Sequence, residues 1–253
     1  AVARVFGLDF TRIQFTSDLL PADIIGVSIF DTTDNEFRFH PGPVFSHCIL
    51  ADELNRATPK TQSALLEAME ERQVSVDGQT RSLEAPFFVI GTQNPLDQSG
   101  TFPLPESQLD RFLMKINLGY PDPEAEKELL IGLDRRQILT TLEPVLNIRA
   151  VIDAQQEVDK VHVSEALIAY VQKLVHSSRN NGDFIYGLSP RGALALLRAA
   201  RAWAYMQGRN FVEPTDVQQV FAPVAAHRLV SADHLSKTVD QMIEQLLEHT
   251  AIP

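Results

Sequence analysis

Cysteine is almost absent. The single one, Cys48, lies inside an apolar run, so a disulfide framework is excluded and a reducing, cytoplasmic setting is expected. No stretch approaches the roughly 20 apolar residues of a membrane-spanning helix, and no segment with the pattern of a secretion leader opens the sequence. Positive charge is in deficit. The chain has 22 Lys and Arg against 33 Asp and Glu, a formal net charge of −11. Binding DNA or RNA without sequence preference needs basic surface to displace counterions, so the bulk charge argues against it while leaving room for a local basic channel. There is no zinc-finger spacing, no Gly-x-Ser-x-Gly elbow and no Cys/His nucleophile pattern. His40 and His47 have no ligand partners at useful spacing and read as strand or loop residues. Repeats and low-complexity tracts are also missing.

What is present is a chain of 253 residues, long enough to bury a core in one large domain or two modest ones. Ala1 to Phe6 reads as the tail of a helix stopped by Gly7. Phe10, Arg12, Ile13 and Phe15 suggest a strand. Gly26 to Phe39 suggests a hairpin turning at Asp34-Asn35. Thr58-Pro59 starts a helix whose apolar face carries Ala64, Leu65, Ala68 and Met69. Val74 to Leu83 predicts a second hairpin around Asp77-Gly78. Phe87 to Ile90 predicts a buried strand, Glu106 to Phe112 a helix, and Leu113 to Asn117 a further strand. Strands alternating with helices predict an α/β layer with a parallel sheet. After Pro121-Asp122-Pro123 only helical periodicity remains, over 124–134, 150–160, 164–178, 190–206 and 214–230, with a ragged helix at the C-terminus. The expected division is therefore an α/β core over 1–121 and a small helical domain over 122–253.

One run carries most of the chemistry: His47-Cys48-Ile49-Leu50-Ala51-Asp52-Glu53. Strands covered on both faces read as unbroken apolar runs, and ligands collect at the C-terminal edge of such parallel sheets. Two adjacent carboxylates there repel each other, so a fold that keeps both has a cation or a proton-transfer task for them. This is the form of a Walker B element, with Asp52 placed to hold Mg²⁺ and Glu53 to polarise a water. The alternative is a strand that ends in a solvated acidic turn.

Three further residues are candidates. Asn94 ends the next strand and offers both a donor and an acceptor to orient a water, although Asn94-Pro95 also opens turns. Arg111, at a helix end, is a permanent cation suited to phosphate and able to act as an arginine finger from a neighbouring subunit. A salt bridge to Asp110 or a helix-dipole contact is its alternative. Arg191 follows the cap Ser189 and Pro190, so it sits in a first helical turn where a cation is unfavourable by ~0.3–1 kcal/mol. Local violations of this kind often mark function. Lys60 stands in the same position in its own helix, however, and with Arg198 and Arg201 a solvated basic face is the rival reading.

Taken in order, these runs resemble the MoxR family of AAA+ ATPases. The likeness is carried by Phe39-His40-Pro41-Gly42-Pro43, Ala51-Asp52-Glu53-Leu54-Asn55-Arg56-Ala57, Thr92-Gln93-Asn94-Pro95, Leu104-Pro105-Glu106-Ser107-Gln108-Leu109-Asp110-Arg111-Phe112 and Ser189-Pro190-Arg191. The resemblance implies an AAA+ three-layer αβα core followed by an all-helical lid. It implies that Asp52 and Glu53 are Walker B, Asn94 is sensor 1, Arg111 is the arginine finger and Arg191 is sensor 2. Gly26 to Phe39 then matches the family's helix-2 insert, and the Asp77-Gly78 hairpin its pre-sensor-1 hairpin. ATP and Mg²⁺ are the implied cofactors. A hexameric ring, protein clients and a partner with a von Willebrand factor A domain are the implied associations. One departure is that no Gly-x-x-x-x-Gly-Lys-Ser/Thr phosphate loop occurs. The expectation is that it is encoded ahead of Ala1 and that these residues by themselves bind nucleotide poorly. A scaffold that has lost its phosphate loop, and an AAA+ machine acting on DNA, are the competing readings.

Overall fold

The apolar run before the two acids forms the middle strand of a parallel sheet. The computed structural model describes residues 1–94, 100–132, 139–232 and 238–252. In it β1 (Phe10–Gln14), β4 (Cys48–Asp52) and β7 (Phe88–Gly91) pair in the order β1-β4-β7. The register sets Gln14 beside Asp52 and Ala51 beside Gly91, so all three strands end at one edge. Ile49 and Ala51 of β4 are fully buried, and a side chain such as Ile49 contributes about 1.5–3 kcal/mol by leaving water. Cys48 is buried too, and burial pushes its thiol pKa up, as suits a core residue rather than a nucleophile.

This α/β unit comprises Ala1–Leu104 and Tyr120–Ile152. Both expected hairpins form. The first pairs β2 (Gly26–Asp31) with β3 (Glu36–Pro41), and the second pairs β5 (Gln73–Val76) with β6 (Gln79–Ser82). Asp77 and Gly78 both have positive φ, the requirement of a two-residue primed turn. Helices α1 (Val2–Val5), α2 (Pro21–Ile25) and α3 (Pro59–Glu71) lie in the same unit. The buried face of α3 is Thr61, Gln62, Leu65, Leu66 and Ala68. It is rotated from the expected one because Gln62 turns inward to bond backbone carbonyls of Leu54, Ala57 and Phe102.

The second unit comprises Pro105–Gly119 and Asp153–Pro253. It begins with the short α4 (Glu106–Leu109). Helix α5 (Pro123–Ile131) belongs to the first unit, α6 (Ile148–Lys160) begins in the first and continues into the second, and the main helices of the second are α7 (Glu165–Asn180), α8 (Pro190–Met206), α9 (Pro214–Ala225) and α10 (Val239–His249). They surround a core that includes Tyr170, Leu174, Leu196, Phe221 and Ile243. Residues 133–134 of the expected 124–134 helix, Pro95 of the expected Asn94-Pro95 turn and part of the ragged C-terminal helix lie outside the described residues.

Three expectations need correction. The strand at 87–90 is not buried throughout: Phe88 is 48% exposed, because among the described residues β7 is hydrogen-bonded only to β4. Leu113 to Asn117 does not form a strand. Its apolar residues have no ladder partner there, and Ile116 is 73% exposed. The helical unit also holds a two-stranded antiparallel sheet, β8 (Phe184–Tyr186) with β9 (Val230–Ser231). Runs of two or three residues are too short for periodicity to reveal.

Candidate active site

The two acids leave β4 in different backbone states. Asp52 completes the strand, while Glu53 takes the left-handed conformation, φ 55° and ψ 47°. For a residue with a Cβ that costs roughly 1–2 kcal/mol, so it persists only where its surroundings enforce it. Thr92, one residue past β7, enforces it. Its Oγ1 accepts from the Glu53 amide at 3.0 Å, and its carbonyl accepts from the Leu54 amide at 3.0 Å. The same hydroxyl donates to Asp52 Oδ1 at 2.5 Å. The Thr92 amide in turn donates to the Ala51 carbonyl at 2.9 Å. The chain therefore folds back on the acids from the neighbouring strand end.

Asp52 Oδ2 is engaged by Arg12 of β1, through Nε at 3.1 Å and through Nη2. The Thr92 hydroxyl first, and then Arg12, hold the Asp52 carboxyl below its ordinary pKa, so it stays anionic. The Glu53 carboxylate instead meets Arg56 Nε at 2.9 Å. Asn94, two residues beyond Thr92, is exposed. Asp52, Glu53 and Asn94 thus belong to one edge of one sheet.

Arg111 and Arg191 belong to the helical unit. Arg111 lies two residues past the end of α4 rather than ahead of a strand, and its amide donates to Gln108 O at 3.1 Å. Arg191 occupies the first turn of α8, as expected from its cap: Ser189 Oγ accepts from the Gly192 amide at 2.9 Å. That hydroxyl also donates to Asp110 Oδ2 at 2.8 Å, which connects the residues next to each arginine. A cavity of about 650 Å³ against α7 and α8 is lined by Gln172, Lys173, His176, Arg179 and Ala193 and includes none of the candidate side chains. Among the described residues no cluster of three metal-ligating side chains occurs.

Sequence reasoning missed Thr92 and Arg12 as parts of the site. Thr92 stands within the Thr92-Gln93-Asn94 run, but its bonds span 39 and 40 residues and depend on the β4–β7 register. Arg12 carried no local signal, since it shares the exposed face of β1 with Gln14, where a polar side chain is ordinary.

The comparisons agree with this architecture. Residues 1–114 match the ATPase family associated with various cellular activities (AAA), and residues 176–246 match the AAA lid domain. YeaC of Bacillus subtilis is 46% identical over 91% of this chain and 72% of its own length. Chaperone MoxR1 of Mycobacterium tuberculosis is 41% identical over 99% of this chain and 69% of its own. A crystal structure of a candidate ATPase from Cytophaga hutchinsonii superposes with a TM-score of 0.89 at 39% identity, covering 100% of this chain and 80% of that one. With a parallel α/β unit, a helical lid and these relatives, the chain belongs to the MoxR family of AAA+ ATPases.

Proposed function

We propose that the protein is an ATP-hydrolysing, chaperone-like motor that remodels, matures or activates partner proteins, with Mg-ATP hydrolysed between adjacent subunits of a ring. The observation that carries this reading is Glu53, held in a strained left-handed backbone at the edge of a parallel sheet beside an anionic Asp52. A solvated acidic turn gives no reason for a glutamate where glycine is free of strain, nor for the hydroxyl brace that keeps it there.

The donor set suits the implied cofactor. Mg²⁺ takes hard oxygen ligands, one or two carboxylates together with substrate phosphates. Asp52 offers an ionised carboxylate that already holds a cation, the Arg12 guanidinium, at Oδ2. When bound, Mg²⁺ would supply positive charge to offset that of the phosphates. In this reading Asp52 is its protein ligand, Glu53 polarises the attacking water and Asn94 orients it. Arg111 stabilises charge on a neighbour's nucleotide, and Arg191 contacts phosphate. Residues 1–121 then act as the nucleotide-binding core and 122–253 as the lid. Segment 105–119, which packs within the helical unit, carries Arg111.

Protein clients are supported by the relative named as a chaperone. The net charge of −11 weighs against a DNA substrate. A hexameric ring, a partner with a von Willebrand factor A domain and a cytoplasmic location complete the proposal. No helix among the described residues is long and apolar enough to cross a membrane. The test is Glu53→Gln in the full-length protein. ATP hydrolysis should fall by at least about 10²-fold, the order seen when a transition-state group is lost, while ATP affinity is kept. Unchanged turnover would exclude Glu53 from the chemistry.

A further inference from the structure

Arg228 has no part in the chemistry above, yet its side chain is only 3% exposed. A buried guanidinium is tolerated when its donors find acceptors, and those of Arg228 converge on one short segment. Nε donates to Asp110 Oδ1 at 2.7 Å, Nη2 to the carbonyls of Asp110 at 3.2 Å and Phe112 at 2.5 Å, and Nη1 to that of Leu113 at 3.1 Å. Nη1 also bonds the carbonyl of Val224 on α9. The fork therefore grips the backbone on both sides of Arg111. The remaining oxygen of Asp110 accepts from Ser189, the cap of the helix that carries Arg191. Gly192 completes the arrangement. A Cβ there would lie 3.1 Å from Arg228 Cδ, so the residue after Arg191 is small where the Arg228 stem crosses. Burial keeps the Arg228 pKa below its ordinary value against the opposing pull of Asp110, and the charge of Arg191 acts in the same direction as burial.

We propose that Asp110 and Arg228 are positioning residues that fix the Arg111 turn to the N-terminus of the Arg191 helix, so that both arginines move as one body. The inference rests on the roles given to Arg111 and Arg191 in the proposed function. Contacts spanning 79 and 118 residues do what local capping does not: they tie a turn with little regular structure to a long helix. Helix α8 buries Ala195, Leu196, Ala199 and Ala200 and is held by its own packing. Loosening the clamp therefore displaces the turn rather than the helix. A shift of about 1 Å in a catalytic group can cost roughly 10²-fold in rate.

The test uses the full-length protein with Asp110→Asn, which preserves shape and removes the charge, and Arg228→Lys, which preserves charge and removes the fork. Each should lower kcat by about 10- to 100-fold while ATP affinity changes by less than about twofold. Mixing Asp110→Asn subunits with Glu53→Gln subunits supplies an intact Arg111 beside an intact Glu53 and should restore hydrolysis. A purely structural role would lower the melting temperature without this kcat loss per folded subunit and without complementation. If Asp110→Asn does not fold, Ser189→Ala removes one arm of the clamp and takes its place in the same mixing experiment. Wild-type turnover in the folded variants, with Arg111→Ala inactive, overturns the coupling alone. An active Arg111→Ala overturns the Arg111 assignment, and the coupling falls with it.

Discussion

The hydroxyl of Thr92 lies between the two acids, donating to Asp52 Oδ1 and accepting from the Glu53 amide. Valine has the same shape and neither function. Thr92→Val should leave the Glu53 amide without its acceptor, at a cost of about 1–3 kcal/mol, measurable by urea denaturation. It also removes the largest influence lowering the Asp52 pKa, so that carboxyl should titrate higher in an NMR pH series. Thr92→Ser should recover both properties; a serine variant as weak as the valine one would assign the loss to methyl packing. Asp52 and Glu53 were legible in the sequence because two consecutive acids after an apolar run are a local pattern. Thr92 was not, because hydroxyls are common at strand ends. Only the pairing of β4 with β7 brings this one to the acids.

At the scale of the element, local chemistry read well and pairing read poorly. The hairpin turns were visible because Asn35, Asp77 and Gly78, all with positive φ, are residue types that tolerate that conformation. The exposed face of β7 and the strandless run at 113–117 were not. An apolar run shows capacity to pair but does not count its neighbours. The base of the first hairpin supplies a prediction. Gly42 has ordinary extended backbone, φ −81° and ψ 175°, but a Cβ there would lie 2.3 Å from Ile24 O and 2.5 Å from the Gly26 amide. These atoms are backbone and cannot swing aside. Gly42→Ala should cost at least the ~1–3 kcal/mol of ordinary overpacking and expose 26–41 to limited proteolysis. Gly78 is the control: its φ is +74° and a Cβ would meet nothing within 4 Å, so Gly78→Ala should cost only about 1–2 kcal/mol of strain. Equal losses in the two variants would mean that close approach at Gly42 is not what holds the hairpin.

Over the whole molecule the excess of acids makes low pH the informative stress, and its buried and half-buried groups respond to it at different pH values. Asp52 in the α/β unit and Asp216 in the helical unit both have carboxyl pKa values below the ordinary range. For Asp216 burial works in the opposite direction and is outweighed by the bonds from Arg209 and the Glu213 amide. Their contributions therefore survive until the pH falls below about 4. His227 behaves differently. Its Nε2 faces the Phe112 carbonyl at 3.0 Å, and since a carbonyl only accepts, Nε2 carries the proton. Nδ1 is buried with no hydrogen-bond partner among the described residues. Burial, followed by the charge of Arg228, lowers the His227 pKa to about 4, against roughly 6.5 in an unfolded chain. The unfolded chain binds this proton more readily. The stabilising contribution of neutral His227 is therefore complete above about pH 6.5 and is lost as the pH falls through about 4. The helical unit should melt at a lower temperature at pH 5 than at pH 7.5. His227→Gln can still donate to Phe112 O but does not titrate, so it should flatten that difference in calorimetry. An undiminished pH dependence in the glutamine variant would mean that other groups govern acid unfolding of the unit.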